Sequence, residues 1–210
     1  MITGWWVWLV ALALYIGFRL FYDNLRGRVT REEIDNLVSR AEALGGDGVN
    51  DLSIVRQFLE DDDGREFVMV NLVRVPDAMV THPDTGAQVP AREMMKACTN
   101  SFMPLLMRRG GHPALVARKV GGYLDSWMVG PDPGWSMVGF VRYRSRRDML
   151  KVVLDPAFEA AHEYKRVALA ETFSFPTQPF LRAYIGPRGS VFLILALAAA
   201  LAQLAMLATG

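Results

Sequence analysis

The chain has one cysteine and three histidines in 210 residues. A single thiol, Cys98, excludes an intrachain disulfide and suits a reducing compartment. His82, His112 and His162 are widely spaced, which leaves little material for an imidazole-rich metal centre. Charge is nearly balanced, 23 Lys and Arg against 22 Asp and Glu, and the net charge of +1 gives no electrostatic reason to expect nucleic acid. Gly-rich phosphate loops, a Ser-His-Asp signature and CxxC pairs are all missing from the sequence. Charge is also missing from both ends. Met1 to Phe18 contains no charged residue and no histidine, and neither does Val191 to Gly210.

Those two ends read as transmembrane helices. About 20 apolar residues cross a bilayer core, and each end is long enough. Trp5, Trp6, Trp8, Phe21 and Tyr22 cluster toward the ends of the first segment, as an interfacial belt would. Arg19 sits where it can reach the headgroups. A cleaved signal peptide is the alternative, but it needs a basic n-region and a small-residue cleavage site, and no basic side chain precedes Arg19. The second segment is interrupted only by Gln203, and its alanines suit close packing against another helix. A buried core helix is its alternative. Arg19, Arg26, Arg28 and Arg31 follow the first segment, and Arg182 and Arg188 precede the second. Both flanks place the middle of the chain in the cytoplasm and both termini outside the inner membrane.

The chain therefore divides into a span at 1–22, a helical stalk or collar at 23–64, a folded domain at 65–178, a linker at 179–189 and a second span at 190–210. Thr30 and Glu33 form a capping box that starts a helix running to about Leu44, which the GGDG at 45–48 breaks. A short helix is expected from Leu52 to Glu60. The acidic run Glu60 to Asp63 reads as a solvated helix end, with metal binding as the alternative. FVMVNLVRV at 67–75 is a strand, interrupted only by Asn71. Residues 76–90 form a long loop or small hairpin that leaves His82 exposed. A helix from Ala91 to Arg109 carries Pro104, which should kink it. Strands follow at 114–120, at 125–129 and at 135–143. Ser145 and Asp148 cap the next helix, and Asp155-Pro156 restarts it as far as about Ala170. A last strand covers 172–177.

Strand, helix, strand, strand, helix, strand is the α+β ferredoxin-like βαββαβ plan. VMVNLVRV at 68–75, VRYRSRRDM at 141–149 and DPAFEAAHEYKRVALAET at 155–172 together resemble a bacterial family of unknown function in the dimeric α/β-barrel superfamily. The resemblance spans about Glu66 to Thr177. It implies that two domains pair with their sheets facing each other. It implies no reaction. Other members of the superfamily are monooxygenases, haem-degrading enzymes, peroxidases and isomerases, and this sequence matches none of their motifs residue by residue.

Four residues are pocket candidates: Asn71, Tyr143, His162 and Arg166. Asn71 is either a satisfied core amide or a polar group lining a pocket. Tyr143 ends a strand, with Arg142 on the opposite face. His162 and Arg166 share a helix face with Glu159 and Glu163, which fits either acid–base chemistry or ordinary ion pairs along a solvated helix. Cys98 lies on an apolar helix face and reads as packing. Arg108, Arg109, Arg144, Arg146 and Arg147 are equally suited to anionic headgroups and to a solubilising surface. No metal or other cofactor is expected. The leading functional expectation is a membrane-anchored accessory or assembly subunit, or a self-associating scaffold, with the bilayer, a second copy and a membrane-protein complex as partners. The competing expectation is a membrane-tethered enzyme or binder of a small apolar molecule, with a monooxygenase-like or haem-binding pocket.

Overall fold

A computed structural model describes residues 4–43 and 51–209. The expected helix end at Leu44 and the GGDG break lie outside the described residues. The chain forms two compact units, Met1–Leu25 with Pro179–Gly210, and Arg26–Gln178.

The first unit is a pair of helices, α1 (Trp6–Tyr22) and α7 (Pro187–Thr209). They run antiparallel. Near the start of α1 the Trp8 indole donates to Gln203 Oε1 at 2.7 Å. Near its end Asp23 accepts from Arg188 at 2.6 Å, and the Arg188 guanidinium lies over the Tyr22 ring. Tyr15 and Phe192 meet edge to face between these points. Ala199 and Val7 are the most enclosed side chains of their helices apart from Tyr22, consistent with small residues letting the two backbones approach. Among the described residues α7 is long and apolar enough to cross a bilayer, while α1, at 17 residues, is shorter.

The second unit is mixed α+β. Its sheet has four strands in the order β4-β5-β1-β6, where β1 is Phe67–Arg74, β4 His112–Arg118, β5 Met137–Tyr143 and β6 Glu171–Thr177. All neighbouring strands are antiparallel. Residues 76–90 fold as a hairpin of β2 (Met79–Thr81) and β3 (Gln88–Pro90). The strand expected at 125–129 is not formed; residues 119–136 are an irregular connection between β4 and β5. A strand needs a partner for its backbone groups, and among the described residues none pairs there.

The helices form where their caps lie. In α2 (Arg31–Ala43) the Thr30 hydroxyl accepts from Glu33 N at 3.2 Å, and the Glu33 carboxylate accepts from Thr30 N at 3.1 Å. Ser145 accepts from Asp148 N at 3.1 Å to start α5 (Arg146–Val153), and Asp155 accepts from Ala157 N at 3.2 Å to start α6 (Pro156–Ala168). In α4 (Ala91–Arg108) Pro104 lies inside the helix. Gly110, at φ +70°, turns the chain out of α4. A Cβ on the next residue, Gly111, would stand 2.3 Å from Leu106 Cδ1, so the return into β4 is close-packed.

Two apolar clusters organise the unit. Val29, Ile34, Leu37, Val38 and Leu59 pack with Leu150 and Leu154, which joins α2 and α3 (Leu52–Glu60) to α5. The segment read as a stalk or collar thus shares a core with the helices of the sheet domain. Phe67, Leu106 and Tyr143 form the second cluster, with Phe58, Met69, Phe102, Met103 and Val141 around them. The odd-numbered face of β1 and β5 accordingly meets α4.

Candidate functional site

The arginine-rich segment after β5 proves to be internal wiring. Arg147 is 3% exposed and grips Glu33 through two hydrogen bonds, at 2.9 and 2.8 Å, while also donating to the Arg28 carbonyl at 2.8 Å. The Arg147 guanidinium holds the Glu33 carboxyl down at about 2. Arg146 pairs with Asp62 at 3.4 Å and lies 4.6 Å over the Phe58 ring. Arg144 pairs with Asp148 at 2.7 Å. Burial pushes the Asp148 carboxyl up, but Arg144 and the Ser145 hydroxyl outweigh it and leave it below the ordinary carboxylate range. Arg109 reaches Asp155 at 3.2 Å. These four side chains therefore neither form a free solubilising surface nor stand ready for headgroups: each is committed to a partner on the protein.

The acidic run is an exposed helix end at Glu60 and Asp61, but not at Asp62 and Asp63. Asp62 is buried, and its carboxylate accepts from Val29 N at 2.8 Å and from Gly64 N at 3.2 Å. Asp63 accepts from the Gln178 side-chain amide at 2.7 Å and from Arg65 N at 3.0 Å. Burial works against the Asp63 charge, yet these donors keep its carboxyl below the usual range. Adjacent carboxylates thus hold the entering chain at Val29 and the leaving chain at Gln178. With their oxygens so engaged, the metal alternative for this run has little to offer. Among the described residues no three His, Cys, Asp or Glu side chains gather as a metal site.

The four pocket candidates sit in different surroundings. Asn71 donates to the Met69 carbonyl at 3.1 Å and accepts from Ser174 Oγ at 2.7 Å, which is the satisfied-amide arrangement. Tyr143 is buried and stacked on Phe67 at 5.3 Å, and burial pushes its phenol up. Four strand positions, roughly 13 Å, separate it from the Asn71 level of the sheet, since Phe67 faces Tyr143 and Asn71 faces Gly139. His162 stacks on Phe158 of its own helix. Arg166 pairs with Glu159 at 2.7 Å and Glu163 at 2.8 Å along α6. Arg142, expected on the opposite face from Tyr143, is almost wholly buried there and pairs with Glu66 at 2.6 Å. His82 is not a fully exposed loop residue; its side chain is 22% exposed and its ring meets Tyr164 edge to face. The Tyr164 hydroxyl in turn donates to Asp84 at 2.6 Å.

Two features had no clear signal in the sequence. The first is the pair Cys98 and Lys165 across α4 and α6. Burial pushes the thiol up and the ammonium down, and each slightly offsets the other. The second is the even-numbered face of the sheet. Val70 stands opposite Phe140 and Phe175, Phe140 opposite Leu115, and Leu72 opposite Val138 and Phe173. The second apolar cluster takes its strand residues from the other face alone, while Val68 and Val70 of β1 are buried on this one. On this face Leu115 is 54%, Phe173 47% and Phe175 44% exposed.

The connection at 119–136 borders that face. Trp135 meets Phe173 edge to face at 5.2 Å and donates from its indole to Tyr123 Oη at 3.0 Å. Lys119 pairs with Asp132 and lies 5.5 Å from the Tyr123 ring centroid. Asp132 also accepts from Gly134 N at 2.9 Å. Beyond this braced base, Val120, Leu124, Trp127, Met128 and Val129 are exposed.

No family model matches the chain, and no curated protein matches it. Among solved structures it is similar to RPA0582 of Rhodopseudomonas palustris, a protein of unknown function, at 20% identity and a TM-score of 0.52. That alignment covers 63% of this chain and 96% of RPA0582. The methylated form of RPA0582 matches at 21% identity and a TM-score of 0.53, over 64% of this chain and 96% of that one. At such identities the likeness is one of fold, and it links this chain to a structure whose own function is unknown.

Proposed function

We propose that the chain is a membrane-anchored scaffold or assembly subunit that associates with itself through its sheet domain. The observation that carries this reading is the even-numbered sheet face, where Leu115 of β4 and Phe173 and Phe175 of β6 stand about half exposed on the two edge strands, flanking the buried Val70 of β1. An apolar sheet face of this kind is a place for a second protein surface. The strand order β4-β5-β1-β6 supports the ferredoxin-like plan: one helical crossover joins β1 to β4, and another joins β5 to β6. Two such domains would pair face to face as a dimeric α/β-barrel. On this reading α1 and α7 both span the inner membrane, and their antiparallel pairing keeps the two termini on one side. The basic residues Arg26, Arg28 and Arg31 then hold the domain in the cytoplasm.

The reading is also favoured by the candidate residues themselves. Asn71, Arg166 and Arg142 already have protein partners, and Tyr143 is stacked inside the core. The test is the native mass of the full chain after gentle extraction from its membrane. A homodimer, a larger homo-oligomer or a stoichiometric complex with another membrane protein is expected. A solitary monomer would overturn the proposal, and a bound chromophore or apolar small molecule would replace it with a ligand-binding enzyme.

A further inference from the structure

We infer that residues 119–135, within the connection between β4 and β5, form an arm that lies on a second copy of this chain. The inference rests on the self-association reading and names the segment that would add to it.

The arm is built rather than slack. Lys119 with Asp132, Asp132 with Gly134 N, and Trp135 with Tyr123 brace its base. Its tip is apolar: Leu124, Trp127 and Met128 are 85% exposed or more. Met128 also adopts φ +51°, a left-handed conformation that a side chain-bearing residue enters at a cost. An unstructured connection of this length in a compact unit is unusual unless it binds something. Holding an indole and a thioether in water on a pre-shaped base suits a contact surface, because little ordering remains to be done on binding.

Two observations select a second copy as the occupant. The first is continuity. Trp135, at the base of the arm, packs on Phe173, so the arm adjoins the apolar face at β6. Trp127, Phe173 and Phe175 together offer roughly 400 Å², about half of what one partner brings to a standard interface of about 800 Å² per side. Leu115, Val120, Leu124, Met128 and Val129 add the aliphatic remainder. When two such faces meet, the exposed arm side chains Leu124, Trp127 and Met128 meet the other copy. The second observation is placement within the unit. The chain enters and leaves this unit beside Asp62 and Asp63, at the end of the sheet where Val68 faces Thr177. The arm grows from the other end, where Val73 faces Met137. About 17 Å of strand lies between them. The arm thus sits at the opposite end of the sheet from Val29 and Gln178, so the chain entering and leaving the unit there does not run beside it, and that end is left to a second copy.

The experiment uses the full chain in mild detergent. A photoreactive benzoylphenylalanine placed at Trp127 should give, on irradiation, a covalent species of twice the chain mass. In parallel, analytical ultracentrifugation compares wild type, Leu124→Ser with Trp127→Ser, and Phe175→Asp. Loss of the exposed arm side chains should weaken the dimer at least tenfold while leaving near-ultraviolet circular dichroism of the core intact. Phe175→Asp should abolish the dimer. If the arm variant pairs as tightly as wild type while Phe175→Asp is monomeric, the arm is overturned and the sheet pairing stands. If wild type is itself monomeric, both fall. A cross-link from position 127 to lipid or to a different protein also overturns the inference.

Discussion

Arg147 and Glu33 meet through two hydrogen bonds, Nε to Oε1 at 2.9 Å and Nη2 to Oε2 at 2.8 Å. The same carboxylate closes the capping box of α2 with Thr30. One contact thus fixes a helix start and docks that helix on α5. Arg147→Ala should lower the stability of the Arg26–Gln178 unit by about 2 kcal/mol, less than a fully buried pair because Glu33 remains partly exposed. Arg147→Lys should recover only part of this, since an ammonium cannot match the carboxylate at both oxygens. Chemical denaturation followed by tryptophan fluorescence measures both.

The same pair predicts an acid limit. The Glu33 carboxyl is lowered from 4.5 to about 2 by Arg147, so the folded state favours its ionised form. Its stabilisation is complete above about pH 4.5 and is lost as pH falls toward 2. Glu33→Gln should lose that contribution at neutral pH and show a flatter stability profile between pH 4.5 and 2. Thermal unfolding across that range gives the comparison; parallel profiles for the two proteins would refute the assignment.

Gly111 and Gly139 make a matched pair of substitutions. A Cβ at Gly111 would collide with Leu106 and approach the Arg142 carbonyl to 3.0 Å, whereas a Cβ at Gly139 meets nothing within 4 Å. Gly111→Ala should destabilise by about 1–3 kcal/mol through overpacking. Gly139→Ala should change stability by less than about 0.5 kcal/mol. Equal effects would show that the α4-to-β4 return is looser than described.

Trp8 and Gln203 form a side-chain hydrogen bond between the bodies of α1 and α7. In a bilayer such bonds are worth about 0.6 kcal/mol on average. A double-mutant cycle of Trp8→Phe and Gln203→Leu, read from helix-pair stability in bicelles, should return a coupling of that order. A coupling near zero would place the pairing of the helices on packing and the Asp23–Arg188 contact instead.

Local chemistry was legible in the sequence, and distant chemistry was not. Thr30 with Glu33, Ser145 with Asp148 and Asp155 before Pro156 each marked a helix start, because a cap is written within three residues. The strand expected at 125–129 did not form, because a short apolar stretch does not show whether a neighbouring strand pairs with it. Arg146 and Arg147 find Asp62 and Glu33 84 and 114 residues earlier in the chain. Nothing in VRYRSRRDM distinguishes such buried pairs from solvated charge. Asn71 was legible as a dilemma: the sequence posed pocket against satisfied amide, and Ser174 on the neighbouring strand was the missing term.

The adjacent carboxylates at Asp62 and Asp63 also have a mechanical meaning. Because Val29 and Gln178 are held side by side, the globular unit is inserted like a bead whose two threads leave through one hole. Tension drawn between those threads would first peel the Val29 and Gln178 contacts apart in sequence. Because Gln178 directly follows Thr177, the last paired residue of β6, the same latch also clamps the end of that strand against Val68.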